Sequence, residues 1–122
     1  MVSPPTAQEV SAILRALSDP TRLTILDLLM QGVQCNCVIG EQLHLPMNLV
    51  SHHIKALREV GLVTSSRDPY DARWVYCSID EVALGRVREQ IDAFFDPARI
   101  QPRLSTCGPR LAPLLLARKA RD

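Results

Sequence analysis

Met47-Asn48-Leu49-Val50-Ser51-His52-His53-Ile54-Lys55-Ala56-Leu57-Arg58-Glu59-Val60-Gly61 is the stretch that decides how the rest of the chain is read. Val50, Ile54 and Leu57 recur at i, i+4 and i+7, which is one apolar stripe of a helix. Asn48, Ser51, His52 and Lys55 recur at i, i+3, i+4 and i+7 on the other face. That face is short, polar and rich in hydrogen-bond donors. Taken alone it would be a solvated helix surface. His53 sits beside the apolar stripe and reads as a packed, hydrogen-bonded histidine rather than a ligand.

The flanking segments change the reading of the polar face. Upstream, Val38, Ile39, Gln42 and Leu43 set the stripe of a short helix from about Asn36 to Leu43, and His44-Leu45-Pro46 makes a tight connection. Downstream, Gly61 stops the long helix. Leu62 to Ser66 and Arg73 to Ile79 then read as two strands around the turn Arg67-Asp68-Pro69-Tyr70-Asp71-Ala72. Two helices joined by a tight turn and followed by a hairpin are the layout of a winged helix-turn-helix DNA reader. There Asn48 can pair with adenine, Ser51 and Lys55 can reach phosphates or base edges, and His52 can meet the DNA backbone.

Further outward, Val10, Ile13, Leu14 and Leu17 form one face of a first helix beginning at Ala7. Asp19 can cap the next helix and Pro20 suits its first position. Leu23, Ile25, Leu26, Leu28, Leu29 and Met30 make that second helix apolar almost all round, so a central, buried position is expected. Asp80 can cap a last long helix carrying Val82, Val87, Ile91, Phe94 and Phe95. The expected fold is therefore mainly α with a small β-hairpin. A domain over 1–96 is expected to precede a Pro-rich tail over 97–122. In that tail Leu114-Leu115-Leu116, followed by Arg118, Lys119 and Arg121, spells a short docking helix.

The 122 residues suit one domain with a modest core. The chain is 47% hydrophobic and 22% charged, which excludes collagen-like and disordered classes. No apolar run is long enough to span a membrane, and Met1 to Thr6 shows no secretory pattern. A cytoplasmic protein is expected. The net charge of +1 does not by itself suggest nucleic acid. From His52 to Arg73, Lys55, Arg58, Arg67 and Arg73 face Glu59, Asp68 and Asp71, a mild basic excess.

Four cysteines are present: Cys35, Cys37, Cys77 and Cys107. In a cytosolic chain they serve packing, metal binding or redox chemistry rather than structural disulfides. Cys35 and Cys37 flank Asn36 at the start of the short helix. A helix N-terminus is expected to lower a thiol's pKa and favour the thiolate, the metal-binding form, and soft sulfur selects soft ions. The competing reading is simple packing, since free cysteine is often buried. Cys77 follows Tyr76 on the second strand and reads as core. Cys107 lies in a polar, Pro-rich segment with no core to join, so a ligand role and none at all both stay open.

Three segments resemble the ArsR/SmtB family of metal-sensing repressors. Leu49 to Val63 is similar to the family's Val-Ser-His-His-Leu-Lys-x-Leu-Arg-x-Ala-Gly-Leu-Val recognition segment. Leu17-Ser18-Asp19-Pro20-Thr21-Arg22-Leu23 resembles its Leu-Ser-Asp-Pro-Thr-Arg-Leu segment, and Arg73-Trp74-Val75-Tyr76 the end of its wing. The resemblance spans about residues 8 to 95. It implies a homodimer through the first and last helices, with recognition helices entering successive major grooves of double-stranded operator DNA ~34 Å apart. It also implies that Arg67 and Arg73 on the wing touch phosphate or the minor groove. Cys35-Asn36-Cys37 stands where arsenic sensors of the family carry Cys-Val-Cys, but Gly40 occupies the position of their third cysteine. Cys107, from either subunit, is the candidate third ligand. The last helix has no His, so the metal site that another branch builds there is absent.

The function expected is a repressor with no permanently bound cofactor. It would release operator DNA when arsenite or antimonite binds these thiolates; cadmium, lead or zinc would need a fourth ligand. Two rivals stand beside this reading. One is a repressor of the same fold switched by oxidation, with Cys37 and Cys107 pairing. The other is a thiol reductase, which needs a Cys-x-x-Cys or Cys–His arrangement that Cys-x-Cys does not provide.

Overall fold

Three of the helices begin where a side chain satisfies free N–H groups. Thr6 Oγ1 accepts from Glu9 N at 3.1 Å and starts α1 (Ala7–Leu17). Asp19 Oδ1 accepts from Thr21 N at 2.7 Å and starts α2 (Pro20–Leu29). Asp80 Oδ1 accepts from Ala83 N at 3.0 Å and starts α5 (Glu81–Phe94). Capping of this kind is what the sequence predicted for the second and last helices. The computed structural model describes residues 3–102; Cys107 and the expected docking helix lie outside them. Within them the order is α1, α2, β1 (Gln34–Cys35), α3 (Asn36–Leu43), α4 (Met47–Glu59), β2 (Val63–Arg67), β3 (Val75–Ile79) and α5, followed by a 3₁₀ turn at Pro97–Arg99.

The core forms where the apolar stripes meet. Ile25 of α2, Ile39 of α3 and Val50 and Leu57 of α4 are wholly buried, with Leu62 and Cys77 closing the sheet side. Each such aliphatic side chain contributes roughly 1.5–3 kcal/mol by leaving water. Gly61, at φ +83°, ends α4. Its N–H donates to Arg58 O and the Leu62 N–H donates to Leu57 O, so the last turn is closed and Leu62 is aimed inward.

Two expectations need correction, and the hairpin gains a strand. The second helix is central but not buried all round, because Leu23 and Met30 remain 49% and 60% exposed. Its ten residues contact α1, α4 and β3, and that leaves one side to solvent. The expected hairpin forms from β2 and β3, and β1 adds to it, giving a three-stranded antiparallel sheet in the order β1-β3-β2. β3 sits in the middle, with Gln34 opposite Cys77 and Cys35 opposite Tyr76 on one side, and Ser65 opposite Cys77 and Ser66 opposite Tyr76 on the other. The turn is also longer than the six residues from Arg67 to Ala72. Arg67 pairs with Val75 as the last rung, which leaves Asp68 to Trp74 as the loop of the wing.

Candidate functional site

The helix-turn-helix is made compact by one missing side chain. α3 ends at His44, held at φ 55°. A Cβ built on Gly40 would come within 3.1 Å of Leu45 O and 3.4 Å of Met47 Sδ. The turn therefore packs directly onto the α3 backbone, and a cysteine at position 40 would have to displace it. Val50, Ile54 and Leu57 point into the core, while Asn48, Ser51, His52 and Lys55 are all exposed on the outer face of α4. The structure thus brings those four onto one surface, as the spacing predicts.

His53 is fixed from the far side of α4. Arg22 Nε donates to His53 Nδ1 at 3.2 Å, and Arg22 Nη1 reaches Ala16 O at 3.4 Å and Arg15 O at 3.5 Å. One guanidinium therefore ties the end of α1 and the start of α2 to α4. Partial burial is the main cause that lowers the His53 pKa, with the nearby Arg22 and His52 charges helping and Asp19 opposing. At Asp19 burial works against ionisation. The N–H groups of Thr21 and Arg22, and the positive charge nearby, outweigh it and hold the carboxyl below its usual range. The Asp19-Pro20-Thr21-Arg22 segment is in this way a structural bolt.

The wing arginines are both engaged within the wing. Arg67 Nη1 donates to Ala72 O at 2.7 Å. Arg73 donates twice to the Asp71 carboxylate, at 3.0 and 2.8 Å, although its own side chain is 89% exposed. That pairing raises Arg73 and lowers Asp71, each through the other. Asp68 Oδ1 accepts from the N–H groups of Tyr70 (2.8 Å) and Asp71 (3.1 Å) and organises the turn. Any contact that Arg67 or Arg73 makes with DNA starts from these commitments.

Cys35 and Cys37 are half-buried free thiols whose sulfurs are in direct contact as a hydrogen-bonded pair. Cys35 is extended at the end of β1 and occupies the N-cap of α3 without capping it through its side chain. Cys37 is in the first turn. An extended first residue and a helical second let the two sulfurs converge on one point. The expected lowering of the thiol pKa fails at Cys37, which is raised. The hydrogen bond with Cys35 is the main cause, followed by burial and the like charge of the neighbouring thiolate; the Val38 N–H lowers it too weakly to compensate. Among the described residues no group of three or more His, Cys, Asp or Glu is placed to hold a metal ion. The pair suits a thiophilic ion by donor type and convergence.

Cys77 takes the core position that its sequence context predicts. It is fully buried, its Sγ–H donates to Asn36 Oδ1 at 2.8 Å, and burial pushes its pKa up. Sequence reading missed Asn36, which looks like a spacer between two cysteines but is a buried anchor. It also missed Tyr76 and Asp68, whose side chains meet at 3.3 Å between the sheet and the wing.

Comparison with known proteins gives a consistent picture. The family described as "Bacterial regulatory protein, arsR family" matches residues 19–65. The arsenical resistance operon repressor of Staphylococcus xylosus is 44% identical over 61 residues, 50% of this chain and 59% of that one. The chain thus spans about three fifths of the length of that relative. The transcriptional repressor SdpR of Bacillus subtilis is 31% identical over 72 residues, covering 59% of this chain and 77% of its own. Among solved structures, a possible transcriptional regulator for arsenical resistance superposes with a TM-score of 0.61 at 28% identity, over 70% of this chain and 85% of that one.

Proposed function

The chain belongs to the arsR family of bacterial regulatory proteins, and we propose that it is a homodimeric, cytoplasmic transcriptional repressor that releases operator DNA when a thiophilic metalloid binds at Cys35 and Cys37. Arsenite or antimonite is the inducer that a thiol-only site favours, and Cys107 is the proposed third donor. Residues 1–96 form the DNA-binding and dimerisation domain in this reading, pairing through α1 and α5, with 97–122 as its tail. Among the described residues no helix is long and apolar enough to cross a membrane. The named relatives are repressors rather than enzymes, and the reductase alternative is set aside.

The observation that carries the reading is the placement of the thiol pair at the start of α3, whose Gly40 backbone touches the turn into α4. Arsenite or antimonite would supply strong bonds to sulfur: for each thiol that binds, one oxygen ligand of the metalloid would leave as water with the thiol proton. What the chain itself does is transmit. Gathering both sulfurs round one metalloid re-sets the backbone at the start of α3, where Cys35 is extended and Cys37 is helical. Leu45 N donates to Gly40 O at 3.0 Å, so a shift of α3 carries the turn with it, and the turn sets the attitude of α4. Asn48, Ser51, His52 and Lys55 then present a less favourable surface to the major groove, with Arg67 and Arg73 on the wing behind them. A coupling of about 1–3 kcal/mol between the two sites loosens DNA roughly 5- to 150-fold.

The test is a titration of fluorescent upstream-promoter DNA by the reduced full chain, with and without arsenite, read by anisotropy. A complex that arsenite weakens supports the reading. A complex indifferent to arsenite but released by an oxidant would move the switch to cysteine oxidation. No complex at low salt would remove the repressor assignment itself.

A further inference from the structure

The thiol pair has a second neighbour besides α3, on the sheet side. Cys35 lies directly opposite Tyr76 in the β1–β3 ladder. Opposed residues of an antiparallel pair share a face, and Cys77, the next residue, points the other way into the core. The Tyr76 phenol therefore lies on the thiol side of β3, and its O–H donates to Asp68 Oδ2 at 3.3 Å. The other oxygen of that same carboxylate accepts from Tyr70 and Asp71 and folds the wing turn. Asp68 N also donates to Trp74 O at 2.9 Å, closing the base of the loop. Asp71, held in that turn, is in turn the partner of Arg73. Cys35 is thus paired in the ladder with Tyr76, and the Tyr76 side chain reaches the wing.

We propose that Tyr76 is the positioning residue through which a change at the Cys35–Cys37 pair reaches the wing, by its cross-strand pairing with Cys35 on one side and its hydroxyl on Asp68 on the other. Two features of its surroundings agree. Burial, then the Asp68 carboxylate, then the two cysteines all hold the phenol in its protonated, donating form. Tyr76 also lies in the middle strand, so it cannot follow β1 without disturbing β2. The path is distinct from the α3–α4 route described above. It rests on that reading only in taking the cysteine pair as the place where a thiophilic ligand binds.

Trp74 gives a readout that needs no DNA, since it is the only tryptophan of the chain and lies in the wing. Arsenite is titrated into the reduced, DNA-free full chain while ultraviolet thiolate–arsenic absorption reports binding and Trp74 emission reports the wing. Wild type is expected to show an emission shift that saturates with the absorption change. Tyr76→Phe, which keeps the ring and removes the hydroxyl, is expected to bind arsenite equally well and lose most of the shift. Tyr70→Ala, at the exposed tip of the same loop, is expected to keep it, which separates a specific path from general damage to the wing. A full shift in Tyr76→Phe, an equal loss in Tyr70→Ala, or arsenite binding without any shift in wild type would each overturn the proposal. A Trp74 shift without loss of operator affinity would defeat the repressor mechanism and leave the path standing. Absence of arsenite absorption in wild type would defeat both.

Discussion

Two small polar clusters lie on the helices that flank the recognition helix, and they are built on opposite principles. On the α2 side, Asp19, Arg22 and His53 are tied by bonds that run to other elements: the cap of α2, the carbonyl end of α1 and the imidazole of α4. On the α3 side, the Cys35 and Cys37 side chains are hydrogen-bonded to each other, and Cys35 leaves the cap of α3 unmade. Disturbing the first cluster costs the fold several contacts at once. Disturbing the second costs only the bond between its two members, so a ligand can replace that bond while the fold survives. A responsive site and a structural one can thus be told apart by where their hydrogen bonds lead.

Cys77 provides the sharpest contrast within one residue type. Native-state alkylation is expected to label Cys35 and Cys37 quickly and Cys77 only through opening of the core, slower by about a thousandfold or more. Mass mapping of the labelled peptides checks this, and equal rates would erase the distinction. Removing the buried partner should be felt next. Cys77→Ala strands the Asn36 carbonyl in the core, at a cost of about 1–3 kcal/mol in denaturant unfolding. Cys35→Ser, at a half-buried thiol bonded only to its neighbour, should leave the midpoint essentially unmoved.

Much of this was legible in the sequence, and the gaps have physical causes. The α-helices could be read because their apolar residues recur at helical spacing and because Asp19 and Asp80 announce helix starts. The cysteine pair could be read because its chemistry is local. β1 could not, since Gln34–Cys35 is too short to show a period. Asn36–Cys77 and Asp68–Tyr76 are contacts made by the sheet register, which no local pattern encodes. The raised pKa of Cys37 was missed because a helix start argues for lowering. Only the contact between the two sulfurs reveals a competing thiol.

The bolt offers the smaller predictions. Asp19→Ala removes the α2 cap and should lower the melting temperature by several degrees, whereas Cys37→Ser should not. The pH response of stability should be gentler still. His53 is lowered from its ordinary 6.5, so as pH falls through 6.5 the unfolded chain takes up a proton before the folded one does. The His53 contribution is therefore complete above 6.5 and is lost as pH falls towards the lower folded value. His53→Asn keeps an acceptor for Arg22 but cannot titrate, and should flatten this part of the curve in thermal unfolding at graded pH. An unchanged slope in that variant would show that the bolt does not depend on a neutral imidazole.

The most direct test of the central claim compares operator affinity with and without arsenite, in reductant, for wild type, Cys77→Ala and the double variant Cys35→Ser, Cys37→Ser. The account predicts a loss of roughly 5- to 150-fold in the first two and none in the third, with all three binding DNA alike in the absence of arsenite. Arsenite release that persists in the double variant, or that vanishes in Cys77→Ala while the protein remains folded, would contradict it.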